Sequence, residues 1–164
     1  MSDVRVFIGL GGNLGNPKES FGKAMRLLSE SGSTVVEKSK LYRTKPYGYS
    51  DQPDFLNAAI EIRTSESPMD LLQTLQQIET KLGKKVVREN GPRLIDLDLL
   101  FYGDSEMQKD QLELPHPGIT SRDFVLLPLC DIAPDWVHPS TGLTLKKHSD
   151  ALSETYASGE KETW

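Results

Sequence analysis

The sequence predicts an α+β fold laid down in the order β-α-β-β-α-β. Three observations carry that reading. Runs with a period of two recur at residues 4–10, 35–42, 55–63 and 94–102. Two stretches with helical periodicity, each opened by a capping residue and a proline, separate the first run from the second and the third from the fourth. Clusters of Gly, Pro, Asn, Asp and Ser punctuate the junctions. This is the ferredoxin-like pattern: a mostly antiparallel sheet flanked by helices, three layers deep as α/β/α.

Val4, Val6, Ile8 and Leu10 alternate with Arg5, Phe7 and Gly9 and give the first strand. Residues 9–15 are expected to form a glycine-rich turn. Asn16-Pro17-Lys18-Glu19 then supplies an N-cap, a proline at the first helical position and an acid three residues after the cap. Phe21, Ala24, Leu27 and Leu28 form that helix's apolar face, and Ser31-Gly32-Ser33 ends it. Residues 35–42 are expected as one strand, followed by a loop over 43–53. In the next strand Leu56, Ala58, Ile60 and Ile62 face the core, and Phe55, Asn57, Ala59 and Glu61 face the other way.

Ser67-Pro68-Met69-Asp70 repeats the helix-start chemistry. Leu71, Leu75, Ile78 and Leu82 make the buried stripe, Leu72, Gln76 and Glu79 make its neighbour, and Gly83 stops the helix. A basic loop follows with Lys84, Lys85, Arg88 and Arg93. The fourth strand is read over 94–102 and closed by Gly103-Asp104. Beyond Pro115-His116-Pro117, Thr120 or Ser121 is expected to cap a short helix through Phe124, Val125, Leu126 and Leu127. The reading is one domain over 1–145, with 146–164 a polar tail or helix packed on it.

Composition narrows the classes. A chain of 164 residues, 37% hydrophobic and 26% charged, can bury one core. The net charge of −5 argues against a general nucleic-acid binder. No apolar run approaches the ~20 residues of a membrane span, and no secretory leader is apparent. Cys130 is the single cysteine, so no internal disulfide forms, and a reducing cytoplasmic setting is expected.

The chemistry concentrates on Asp96-Leu97-Asp98. Residues two apart on a strand point the same way, with Cα atoms roughly 6.5 Å apart, so two carboxylates can converge on hard cations. An Asp-x-Asp at a solvent-facing strand edge is the plainer alternative. Arg93 stands three residues upstream, where its planar fork can meet the same phosphate. The Gly11-Gly12-Asn13 segment lacks the third glycine of a dinucleotide fingerprint and the Lys of a Walker loop. Phe55 and Asn57 share a strand face, an aromatic that stacks and an amide that pairs, which suits a flat heterocycle. His116 sits between two prolines, and Arg122 lies six residues on.

These segments together resemble the 6-hydroxymethyl-7,8-dihydropterin pyrophosphokinase family. The resemblance is carried by Gly11-Gly12-Asn13-Leu14-Gly15, Tyr42-Arg43-Thr44, the run from Asp51 to Ala58, Gln76-Gln77-Ile78-Glu79, the block from Gly91 to Leu100, and Pro115-His116-Pro117 through Leu126. It implies transfer of pyrophosphate from ATP to a hydroxymethyl-dihydropterin, with two Mg2+ ions on Asp96 and Asp98. It further implies catalytic roles for Arg93, Asp96, Asp98 and Lys84. The ATP side would comprise Leu72, Gln76, Glu79, Lys84, Arg93, Leu99, His116 and Arg122. The pterin side would comprise Gly11, Thr44, Pro46, Tyr47, Phe55, Asn57, Asp96 and Phe124. A cytoplasmic monomer acting on small molecules, with no nucleic-acid or membrane partner, is the implied setting. Lys84 stands where an arginine is expected, and Lys45 is unusual beside the pterin loop. A metal-dependent phosphoesterase using the same acids, or a nucleotide-binding module without turnover, are the competing readings.

Overall fold

The computed structural model describes residues 3–46, 51–83, 92–152 and 157–164. In chain order these form β1 (Val4–Gly12), α1 (Pro17–Glu30), β2 (Thr34–Lys38), β3 (Leu41–Thr44), β4 (Phe55–Thr64), α2 (Pro68–Lys81), β5 (Asp96–Tyr102), β6 (Met107–Gln108), β7 (Glu113–Leu114), α3 (Asp123–Ile132), α4 (Leu145–Asp150) and β8 (Ala157–Glu162). Among the described residues the main sheet has six strands in the order β5-β1-β4-β3-β8, with β2 also paired to β4; β6 and β7 form a separate hairpin. Every pairing is antiparallel.

The two long helices start as their caps dictate. The side chain of Asn16 accepts from the Glu19 N–H, and Ser67 accepts from the Asp70 N–H, each with proline in the first turn. Their apolar stripes lie on one face of the sheet. There Phe21, Ala24, Leu28, Leu71, Leu75 and Ile78 pack on Val6, Ile8, Leu56, Ile60, Ile62, Leu97 and Leu99. The opposite face holds a smaller cluster: Phe7, Ala59, Leu100 and Phe101 under Leu126, Leu129, Ala133 and Leu145 from α3 and α4. Trp136 closes it, 4.9 Å from the Phe7 ring with the Arg5 guanidinium 4.9 Å from its own ring. Two clusters on two faces give the three layers, α/β/α.

Several local expectations are corrected. The glycines at 9, 11 and 12 are not in a turn; β1 continues through Gly12, with Gly9 and Gly11 paired to both β4 and β5 and Gly12 to β4. The run 35–42 is two strands. The chain breaks step at Ser39, whose N–H bonds the Ala59 carbonyl and whose hydroxyl accepts from the Ala59 N–H. The fourth predicted strand begins at Asp96, not Leu94. A register shift between Phe7 and Ile8 puts both Leu100 and Phe101 on the α3 side, against strict alternation. Neither Thr120 nor Ser121 caps α3: the cap residue is Arg122, with no side-chain capping bond. Near the C-terminus β8 adds to the sheet beside β3, where no strand was expected.

Candidate active site

On the α3 side the sheet carries a row of directly opposed residues: Asp96 faces Gly11, Gly11 faces Asn57, and Asn57 faces Tyr42. The adjoining row sets Asp98 opposite Gly9 and Gly9 opposite Ala59. Glycine beside each aspartate leaves the sheet bare between the carboxylates and β4. A Cβ at Gly11 would sit 3.1 Å from Asn57 Oδ1, and one at Gly9 would sit 3.4 Å from the Leu100 side chain. Glycine in a strand marks close approach of a ligand or another backbone, and here it forms the floor of a cavity of about 330 Å³.

That cavity brings together Asp96, Asp98, Arg93, His116 and Arg122 with Gly11, Thr44, Phe55, Asn57 and Phe124. One end is ionic and the other offers two aromatic rings and an amide. Lys45, Val125, Leu100 and Ala58 also line it. The Asn57 amide donates to the Thr44 hydroxyl at 2.7 Å, which orients both side chains in a buried position.

The ionic end is held from three directions. Arg93 Nη1 donates to Asp96 Oδ2 at 2.7 Å, with 19% and 20% of the two side chains exposed. The loop carrying Arg93 is laced to the end of β1. The Asn13 N–H bonds the Arg93 carbonyl at 3.0 Å, and the Arg93 N–H bonds Asn13 Oδ1 at 3.0 Å. The Asn13 amide also donates to Gln52 Oε1 and to the Pro53 carbonyl, each at 2.9 Å. Asn13 was legible in the sequence only as part of a turn. Its actual task is to join three loops around the cavity mouth.

His116 follows a cis Leu114–Pro115 bond, and its N–H bonds the Leu100 carbonyl. Its Nδ1 accepts from the Gly118 N–H at 3.0 Å, which leaves Nε2 to carry the ring proton. Burial, and then the positive charge of Arg122, hold this imidazole below the ordinary histidine value. It is therefore a neutral donor at pH 7. Arg122 in turn lies over Gly118, where a Cβ would come within 3.1 Å of its side chain.

Four residues expected on the ATP side do not line the cavity. Leu99 points into the core on the opposite sheet face, and Leu72 packs partly buried against the same core. Gln76 is exposed on α2. Glu79 is 9% exposed, and its Oε2 accepts from the Leu97 N–H at 2.8 Å. A helix carboxylate thus covers an outward N–H of edge strand β5, between the two aspartates. Pro46 is half-buried and stands just beyond the lining residues Thr44 and Lys45. Tyr47 and Lys84 lie outside the described residues, as do Lys85 and Arg88.

The donor set suits magnesium. Two carboxylates from one strand face enter one cavity, and among the described residues no group of three His, Cys, Asp or Glu gathers to hold a metal by itself. Magnesium characteristically takes one or two carboxylates and completes its shell with water and substrate phosphates.

Comparison with known proteins gives the family. The family model for 7,8-dihydro-6-hydroxymethylpterin-pyrophosphokinase matches residues 7–134. A Synechocystis protein named 2-amino-4-hydroxy-6-hydroxymethyldihydropteridine pyrophosphokinase is 44% identical over 84% of the chain and 71% of its own length. The Haemophilus influenzae protein of that name is 40% identical over 84% of the chain and 87% of its length. A folic acid synthesis protein of Pneumocystis carinii is 44% identical, and there the chain spans only 20% of the relative's length. The Plasmodium falciparum HPPK-DHPS crystal structure superposes with a TM-score of 0.73 at 16% identity, over 90% of this chain and 43% of that one, which speaks to the fold alone. With most of its length matched and such identity to relatives of similar size, the chain belongs to the 7,8-dihydro-6-hydroxymethylpterin-pyrophosphokinase family.

Proposed function

We propose that this chain transfers pyrophosphate from ATP to the hydroxyl of 6-hydroxymethyl-7,8-dihydropterin and releases AMP, a step of folate synthesis. The observation that carries the reading is the two-ended cavity: carboxylates, Arg93, His116 and Arg122 at one end, Thr44, Phe55, Asn57 and Phe124 at the other. Hydrolysis of a simple phosphoester would leave Phe55, Asn57 and Phe124 without a task, and the family relationship points the same way.

The chain's part is positioning and electrostatics. Phe55 and Phe124 offer the faces between which a flat ring stacks, and Asn57, oriented by Thr44, offers hydrogen bonds to its edge. The hydroxymethyl group then points along the glycine floor toward the acids. Arg93 and Arg122 meet triphosphate oxygens as planar forks, and neutral His116 donates from Nε2. Charge grows on phosphate oxygens as the pterin hydroxyl attacks the β-phosphorus and AMP leaves, so fixed donors aimed there lower the barrier. Asp96 and Asp98 would hold two magnesium ions. Bound there, they would supply charge neutralisation at the phosphates and orientation of the nucleophile.

The test supplies ATP, magnesium and the hydroxymethyl-dihydropterin and identifies the nucleotide product. AMP formed only with the pterin present supports the reading. Inorganic phosphate released without pterin, or intact ATP, refutes it.

A further inference from the structure

The cavity's two walls come from separate parts of the chain. Thr44, Phe55 and Asn57 stand on β3 and β4, while Phe124 and Val125 stand on the first turn of α3. Much of the contact between α3 and the sheet is apolar, through Leu126 and Leu129 on Ala59 and Leu100. Apolar contact is strong but non-directional, and leaves sliding and tilt weakly specified.

A directional contact lies at the other end of the helix. Tyr42 donates its hydroxyl to Asp131 Oδ1 at 2.8 Å, and the Lys40 N–H donates to Asp131 Oδ2 at 3.2 Å. From β8, Lys161 Nζ lies 3.8 Å from Asp131 Oδ1 and 5.4 Å from the Tyr42 ring centre. Tyr42 is 3% exposed and the Asp131 side chain 21%, so this hydrogen bond is part-buried. Its place in the sheet gives it reach. It continues the row Asp96, Gly11, Asn57, Tyr42 toward Lys161 of β8, and two residues on along β3 is Thr44, the acceptor for Asn57. One bolt therefore ties the strand that orients Asn57 to the helix that presents Phe124.

The geometry points to Tyr42 and Asp131 as a positioning pair for the heterocycle, fixing the separation of the Phe55 and Phe124 walls without touching substrate. This rests on the pterin reading of the cavity proposed above. A brace of this kind acts chiefly on one substrate: at the phosphate end Arg93 and Asp96 are held independently through Asn13, and Arg122, the cap residue of α3, is the phosphate-end group that shares the helix.

Tyr42→Phe removes only the hydroxyl, and Asp131→Ala removes the acceptor. Kd for the pterin is measured by fluorescence titration of each full-length variant, with KM for ATP and thermal unfolding in parallel. Misplaced binding groups cost one to two decades, so a rise of roughly tenfold in pterin Kd is expected, with KM for ATP changed less than about twofold. The double variant is expected to be no worse than either single one, as for two ends of one contact. Lys161→Ala, at a half-exposed and screened pair, is expected to leave pterin Kd within about twofold. Variants that lose thermal stability yet bind pterin as wild type does would overturn the inference and leave a purely structural tie. So would equal losses for ATP and pterin. A wild-type protein that binds no pterin would overturn the reading of the cavity itself, and this inference with it.

Discussion

Gly12→Ala exposes how tightly the site depends on one backbone approach. Gly12 is buried in β1 opposite Leu56. A Cβ there would stand 2.6 Å from the Leu94 carbonyl oxygen, 3.3 Å from its carbon and 3.6 Å from the Arg93 carbonyl oxygen. All three are backbone atoms, so no side chain can swing aside. Relief requires moving the 93–95 segment until the oxygen is beyond 3.0 Å. That segment is fastened to Asn13 by two hydrogen bonds of 3.0 Å, and both lengthen as it moves. Overpacking of this kind costs ~1–3 kcal/mol and a weakened hydrogen bond about 1 more, so a loss of about 2–4 kcal/mol follows. For a domain of this size that is a fall in Tm of roughly 5–15 °C. The same movement carries Arg93 off Asp96. A misplacement near 1 Å costs ~10²-fold, so the smaller shift here should lower kcat/KM about tenfold. Thermal unfolding and AMP formation are measured on the same preparation. Unchanged Tm together with unchanged kcat/KM would refute the close approach of β1 to the Leu94 carbonyl.

Gly22 is the contrasting case, and three further outcomes are expected. It lies inside α1 with open space where a Cβ would stand, nothing coming within 4 Å, so Gly22→Ala should stabilise by ~0.5–1 kcal/mol in urea unfolding; destabilisation would mean α1 is packed differently. Asp96→Ala or Asp98→Ala should reduce AMP formation by ~10²–10³-fold while far-UV circular dichroism stays native, and near-normal turnover in either would remove the metal assignment. Chelating divalent ions with EDTA should stop turnover, with recovery on adding magnesium. His116 titrates below the ordinary value because of burial and Arg122, and His138 does so because of burial and His148. Each then binds fewer protons folded than unfolded, so stability is full above about pH 6.5 and falls as pH drops from there toward the depressed values. His116→Gln should shallow that fall; urea midpoints at pH 7.5 and 5.5 that drop as far in the variant as in wild type would contradict it.

Some of this architecture is written locally. Asn16-Pro17 and Ser67-Pro68 start helices because a side-chain oxygen and a ring-locked φ act within one turn. The alternation of Leu56, Ala58, Ile60 and Ile62 fixes which face of β4 meets α1 and α2, because a strand's period is two. The Asp-x-Asp pair could be placed on one strand face for the same reason. Other features depend on partners distant in sequence. Gly9, Gly11 and Gly12 look like a turn until β4 and β5 are laid on either side, and then they are strand residues whose missing side chains open the cavity. Glu79 reads as part of the stripe beside the buried one, yet it is buried with its carboxylate accepting from the outward N–H of Leu97. β8 carries no apolar alternation, since an edge strand is recruited by the unpaired backbone of β3 rather than by a buried face. The sequence by itself determined the β-α-β-β-α-β order of the core, the starts of α1 and α2 set by their caps, and the residue types of the site. The tertiary structure alone decided which of those residues share one cavity, because hydrogen bonds and packing between distant segments, not local periodicity, set the distances there.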